Sequence, residues 1–468
     1  MGIDTGDPKL TELPPPAPGE TPAQESGELL APDVVARELP PSIVAQSFGE
    51  YVRAWSARIR AGESGVLPVV FGLIIIAVVF QIISPNHVFL TAGNLVNLFQ
   101  QSAVFMVLGM AEIFVLLLGE IDLSAGYVGA VGAVIAVQLV QPVTTHWPWW
   151  AAIIVALLCV ALIGALQGTI ITRLRVPSFV VTLAGLLIFN GVMLILLLLG
   201  PFSGYPSLSG SNTNVQVLYG LMWATIDPLV GWIAMIVIVA ALGGLLLWRD
   251  TTRRRSGLVA PPLSLTILKI ALIAIVGVAV VAICNVSRLA NPVATCDGLV
   301  RICPIGVPVV IPIVLSFVGI WTVLLQRMRY GRYVYAIGGN PEAARRAGVN
   351  LARVRTIAFA LCSLTAGVGG LLYASYLGGM SNNVNGGQLV LYAVAAAVIG
   401  GTSLFGGRGK TIHGVLGGLV IGGIYNGLYL LGLAAQYQFI ATGLVLLAAV
   451  TIDALSRRGS AAGSVSHA

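Results

Sequence analysis

Three acids, Glu112, Glu120 and Asp122, lie inside or beside long apolar runs. A charge at mid-bilayer costs roughly 2.5–3.5 kcal/mol on insertion scales, so these carboxylates must face protein or water. Three roles fit them. Asp122 or Ser124 caps a helix beginning at Leu123, or the acids touch a polar solute, or they pass protons. A second group, Asn94, Asn97, Gln100 and Gln101, forms a polar stripe entering an apolar run. Amides exchange hydrogen bonds with solute hydroxyls without adding charge, and they serve equally well to tie helices together. A third group lies in the basic loop 327–355, where Asn340-Pro341-Glu342-Ala343-Ala344-Arg345-Arg346-Ala347-Gly348 spells a complete short helix. Asn340 suits the N-cap and Pro341 the first helical position. Glu342 complements the positive helix end, Arg345 and Arg346 the negative end, and Gly348 closes it. So short a helix is marginal alone in water. Caps at both ends point to a helix that seats in the cleft of a partner; the alternative is a capped turn with no partner.

The elements that must position these groups are membrane spans. Charged residues make up 9% of the 468 positions and hydrophobic ones 57%, where a soluble domain carries about 25% charged residues. Ten of the eighteen acids fall within residues 1–63, so the rest of the chain avoids charge almost completely. The 56 glycines supply the small surfaces on which membrane helices approach closely. Apolar runs predict about twelve spans: 66–83, 95–118, 123–140, 149–171, 179–199, 229–248, 263–283, 307–325, 357–377, 389–400, 412–431 and 439–454. Run 389–400 is short enough to be a broken or re-entrant segment. The fold class is thus an all-α polytopic membrane protein.

Lys and Arg set the orientation. With the N-terminus inside, Arg173, Arg175, Arg249, Arg253, Arg254, Arg255, the 327–355 loop, Arg408, Lys410, Arg457 and Arg458 all fall on the cytoplasmic side. Arg288 and Arg301 remain outside, and both ends of the chain face the cytoplasm. Residues 1–41, rich in Pro, Glu and Ser, read as a disordered tail, and 42–63 as an amphipathic lead-in helix. The membrane body divides into 64–228, 229–306 and 307–455, followed by a tail at 456–468. The external loop 201–227 is either a polar surface on which a soluble partner docks or a tolerated surface insertion.

Several chemistries are excluded. Gly406-Gly407-Arg408-Gly409-Lys410-Thr411 imitates a phosphate loop, but the position six before the lysine is Leu404 rather than glycine, and no strand precedes it. The chain therefore hydrolyses no ATP. The net charge of +7 comes from short clusters between apolar runs, with no basic stripe for nucleic acid. The histidines are isolated and form no metal cluster. Cys296 and Cys303 share one external polar loop and are candidates for a disulfide.

Three ordered blocks carry a resemblance. Glu342-Ala343-Ala344 followed by Gly348 resembles the Glu-Ala-Ala…Gly loop of ABC importer permeases. The string Tyr330-Gly331-Arg332-Tyr333-Val334-Tyr335-Ala336-Ile337-Gly338-Gly339-Asn340 resembles the form in ribose/xylose/galactose-type sugar permeases. Gly119-Glu120-Ile121-Asp122-Leu123-Ser124-Ala125-Gly126 and the Gly400–Gly409 block agree. The resemblance covers about residues 66–205 and 307–455. It implies a cell-membrane subunit working as a pair, a tandem-domain ATPase inside that holds ATP and Mg, and a sugar-binding protein outside. It also implies a transported monosaccharide and no cofactor in this chain. An insertion at 229–284 adds two spans to the family's ten-span core; xylose-type members are similarly enlarged, so a pentose such as D-xylose is favoured. Another sugar or a furanose-type signal molecule is the alternative within the class. Outside it, the rival is an ion-coupled secondary carrier using Glu120 and Asp122.

Overall fold

A backbone surrounded by apolar groups must satisfy its own hydrogen bonds, and helices do so within each segment. The computed structural model describes residues 49, 50, 53, 66–143, 145–199, 206–258, 260–288, 302–434, 436–445, 447, 448 and 451. The tail 1–41, nearly all of the lead-in helix 42–63, Cys296 and the tail 456–468 lie outside the described residues. In order, the helices are α1 (Leu67–Ile83), α2 (Ala92–Leu116), α3 (Ala125–Val140), α4 (Trp149–Leu174), α5 (Ser178–Leu199), α6 (Thr213–Trp223) and α7 (Pro228–Arg255). They continue with α8 (Leu263–Cys284), α9 (Val310–Gln326), α10 (Arg329–Gly339), α11 (Pro341–Arg346), α12 (Leu351–Leu377), α13 (Gly386–Ile399) and α14 (Thr411–Leu430). Strands β1 (Thr225–Ile226) and β2 (Val307–Pro308) pair antiparallel.

The centre is built from α2 and α12, with α3, α13 and α14 around them, and small residues set the spacing. On α14, Gly414, Gly418 and Gly422 recur every fourth residue, which places them on one helix face. That face lies directly against Met110, Met106 and Ser102 of α2. On α12, Gly370 meets the Gly129 backbone of α3 so closely that a methyl group would overlap it. Buried Phe114 and Trp321 pack edge to face at 5.1 Å and seat α9 on α2.

Seven described helices are long and apolar enough to cross a membrane, or eight if the pair α9–α10, bent by 70°, is one span. This does not support the count of twelve. Helices α1, α3 and α13 are apolar but only 17, 16 and 14 residues long, below the ~20 needed. Run 439–454 lies partly outside the described residues. Hydropathy cannot separate a short helix buried in protein from a full span, and most of α3 and α13 is buried.

Helices α7 and α8 pack on each other. Buried Asp250 binds them, accepting from Thr266 Oγ1 at 2.7 Å and pairing with Arg249 Nε at 3.2 Å. The pair meets the core at one edge, through Val96, Val281, Cys284, Val307 and Ile311. Large apolar side chains such as Ile236, Leu245, Leu272 and Ile275 stay exposed along the outer faces. The loop expected at 201–227 holds a helix, α6, capped by Asn212 Oδ1 accepting from Asn214 N at 2.9 Å.

Candidate functional site

The polar stripe on α2 stitches helices together. Asn94 Nδ2 donates to Asn426 Oδ1 at 2.8 Å, and Asn426 Nδ2 donates to Gln101 Oε1 at 3.1 Å. Gln101 Nε2 in turn donates to Asn97 Oδ1 at 3.4 Å. This chain joins α2 to α14 through Asn426, which is fully buried. Gln100 points elsewhere and donates to the Met222 carbonyl at 2.8 Å.

Gln101 is the one member of the stripe that reaches a cavity of about 100 Å³ inside the helix bundle. Val104 and Phe105 of α2 line it, with Tyr373 and Tyr376 of α12, Asn385, Gln388, Leu389 and Tyr392 at α13, and Tyr425 of α14. The lining is braced. Asn385 Oδ1 caps α13 by accepting from Gln388 N at 3.0 Å, and Gln388 Nε2 donates to Tyr392 Oη at 2.8 Å. Phe105 packs edge to face with Tyr392 at 5.3 Å. None of these lining residues is charged. Four tyrosines offer ring faces and hydroxyls and three amides offer donors and acceptors, which suits an uncharged polyhydroxylated solute. The rings continue as a stack, with Tyr376 on Trp223 of α6 at 5.8 Å and Trp223 on Tyr219 of α6 at 6.3 Å.

The acidic break between α2 and α3 does not line this cavity. Asp122, fully buried, accepts from Ser124 N at 2.9 Å and from Ser124 Oγ at 2.6 Å, forming a turn that starts α3 at Ala125 rather than Leu123. Gln167 Nε2 of α4 donates to Ser124 Oγ at 2.9 Å. Glu120 instead faces Arg355 of α12, with Nε 3.5 Å from Oε1. Glu112 is fully buried and both its oxygens lack hydrogen-bond partners.

Helix α11 is capped as its residues dictate. Asn340 Oδ1 accepts from Ala343 N at 3.0 Å, and Gly348 takes φ +82° while its N–H donates to Arg345 O at 3.0 Å. Glu342 Oε1 sits 2.6 Å from Arg345 Nη2 and 3.8 Å from Arg346 Nε. The hydrogen bond from Arg345 to Glu342 holds this guanidinium above its ordinary pKa. Pro341, Glu342, Ala343, Arg345 and Arg346 are exposed, while Ala344 is buried and anchors the helix.

The three motif blocks, far apart in sequence, meet beside α11. Gly407 N donates to Leu117 O at 2.9 Å, and Gly338 of α10 lies against both residues. Tyr335 Oη donates to Gly409 O at 2.7 Å, and Gly119 borders the Phe405 backbone. The junction joins α10, the end of α2 and the turn before α14.

Of the residues singled out by sequence, Gln101 reaches the cavity; Asn94 and Asn97 support it, and Glu120, Asp122 and Ser124 belong to the break. Sequence reading missed Tyr373, Tyr376, Asn385, Gln388, Tyr392 and Tyr425. The available signal was polar and aromatic side chains at helical spacing, Tyr373 with Tyr376 and Gln388 with Tyr392. Cys303 is disulfide-bonded, and Cys159, Cys284 and Cys362 are free thiols. Among the described residues no group of His, Cys, Asp and Glu is arranged to hold a metal ion.

A family model described as branched-chain amino acid transport system / permease component matches residues 94–253 and 216–450. The xylose transport system permease protein XylH of Escherichia coli K12 is 32% identical over 394 residues, covering 84% of this chain and 92% of the relative. XylH of Haemophilus influenzae is 32% identical over 403 residues, with 84% and 97% covered. The ribose import permease protein RbsC of E. coli K12 is 28% identical over 382 residues, with 81% and 91% covered. No solved structure matches the chain. The matched residues include the cavity, the glycine junction and α11. The chain therefore belongs to this permease family, among the permeases of ribose/xylose/galactose-type sugar ABC importers.

Proposed function

We propose that this chain is the membrane passage of an ATP-driven monosaccharide importer, with D-xylose or a related pentose as solute. The observation that carries this reading is the neutral tyrosine and amide lining of the central cavity. Such a surface bonds many hydroxyls and stacks on a sugar's C–H face while placing no compensating charge beside an ionic solute. Two copies of the chain form the passage. A tandem-domain ATPase seats α11 in a cleft, and a sugar-binding protein delivers solute on the α6 side. Both chain ends and the α11 face lie in the cytoplasm. ATP-driven closure of the motor moves α11; through the glycine junction it shifts α2 and α14 and turns the cavity from one side to the other. The names of the xylose permeases support the pentose, since they are similar along most of the chain.

The test is uptake of labelled xylose into liposomes containing this chain, its ATPase and its binding protein. Uptake is expected to need all three and internal ATP, and to fall at least tenfold with Tyr376→Ala or Gln388→Ala. Undiminished uptake in both variants removes the cavity from the pathway. Uptake by this chain alone under an ion gradient would instead establish a secondary carrier.

A further inference from the structure

A second cavity, of about 520 Å³, opens beside α11, between the α4–α5 turn and the start of α12. The solute path described above does not use it. Three arginines from separate segments face into it: Arg175 from the α4–α5 turn, Arg345 from α11 and Arg355 from α12. Glu120 is the single acid on its wall. Glu120 answers Arg355, whose Nε is buried without a hydrogen-bond partner, and Glu342 answers Arg345. No carboxylate among the described residues pairs with Arg175, so the wall carries an uncompensated cation. Arg175 is held there in a left-handed conformation, φ +54°, which non-glycine residues seldom adopt.

The backbone adds to this field. Ser178 opens α5, and Leu351 and Ala352 open α12; all three are on the cavity wall. The Asn350 cap accepts only from Arg353 N, at 3.0 Å, so the Leu351 and Ala352 amides have no acceptor within their helix. Two positive helix ends thus converge with three guanidiniums. Guanidinium forks match tetrahedral oxyanions in geometry as well as charge.

We infer that this cavity, walled by Arg175, Arg345 and Arg355, binds a phosphate monoester. A seated phosphate would bridge the α4–α5 turn to α11 and brace the short helix. The phosphate is either a free small phosphate ester or the headgroup of an anionic lipid at the membrane edge; both present the same group to the arginines. The inference does not depend on which solute the chain transports.

The probe is glycerol 1-phosphate titrated by calorimetry into the full-length chain in neutral detergent at low salt. Saturable binding that weakens with ionic strength is expected. Arg175→Asn, chosen because Asn tolerates the left-handed conformation, and Arg345→Gln should each weaken it at least tenfold without changing the unfolding temperature. Arg175→Lys should recover part of the affinity. Nanodiscs separate the sources: displacement of the probe by phosphatidic acid, relative to pure phosphatidylcholine, assigns a lipid headgroup. Binding undisturbed by that lipid assigns a free phosphate ester. Absence of saturable binding, or equal affinity in wild type and folded variants, overturns the proposal. Absence of sugar uptake by the wild-type reconstituted system, with phosphate binding intact, would count against the transport reading alone.

Discussion

Replacing Gly338 by Ala adds one methyl group to the last turn of α10. By helix propensity alone this stabilises by up to ~1 kcal/mol. At this position the methyl would overlap the Leu117 carbonyl oxygen and lie 2.5 Å from Gly407 N. These are the two partners of a 2.9 Å backbone hydrogen bond. Neither is a side chain that can swing aside, so a backbone must move. Overpacking of this kind costs about 1–3 kcal/mol, and a lost hydrogen bond another ~0.5–1.5 kcal/mol. After subtracting the propensity gain, a net loss of about 1–3 kcal/mol remains. Gly339→Ala is the matched control, because no heavy atom lies within 4 Å of its added methyl. Tryptophan fluorescence on heating in detergent is the assay. Gly338→Ala should unfold about 1–3 °C below wild type, and Gly339→Ala at or above it. In the reconstituted system, Gly338→Ala should also lose sugar uptake relative to ATP hydrolysis, since the α11 region would no longer move as one body with α2. Equal stability and equal coupling in both variants would refute a close-packed junction.

Three further outcomes follow from particular contacts. Asn426→Leu leaves Gln101 and Asn94 without their shared partner inside the bundle; a loss of about 1–3 kcal/mol is expected in chemical unfolding. Asn340→Ala removes the α11 cap, worth roughly 0.5–2 kcal/mol, so hydrogen exchange should speed up at 341–347 while α2 and α12 keep their protection. The Glu120–Arg355 pair is partly exposed, with side chains 15% and 28% accessible. Its double-mutant cycle in thermal unfolding should therefore return about 1 kcal/mol or less; a much larger coupling would place the pair in a drier setting than the structure gives it.

The α11 helix was legible in sequence almost residue by residue because capping is local chemistry. Asn340, Pro341, Glu342 and Gly348 each act within one turn of their own position. Membrane residence was legible for a similar reason, since composition alone decides whether a segment prefers lipid. The span count was not. Runs 123–140 and 389–400 read as apolar whether they cross the bilayer or pack inside protein, and α3 and α13 are short helices largely within the bundle. Asp122 was placed at a helix start, but its Ser124 partner and the helix beginning at Ala125 depend on how the turn closes.

The amino-acid sequence by itself determined the lipid-adapted body, the capped α11 and the glycine-rich blocks at 119–126 and 400–409. It also marked Gln101 as a polar group at depth, without saying what that group would face. Tertiary structure alone decided which distant residues meet. Tyr373, Tyr376, Gln388, Tyr392 and Tyr425 stand on three different helices, and only their packing against α2 makes them one neutral lining. Gly338, Leu117 and Gly407 are likewise unrelated until the helices close. Local propensity acts over a few residues, whereas a cavity or a junction is a property of surfaces separated by hundreds of positions in the chain.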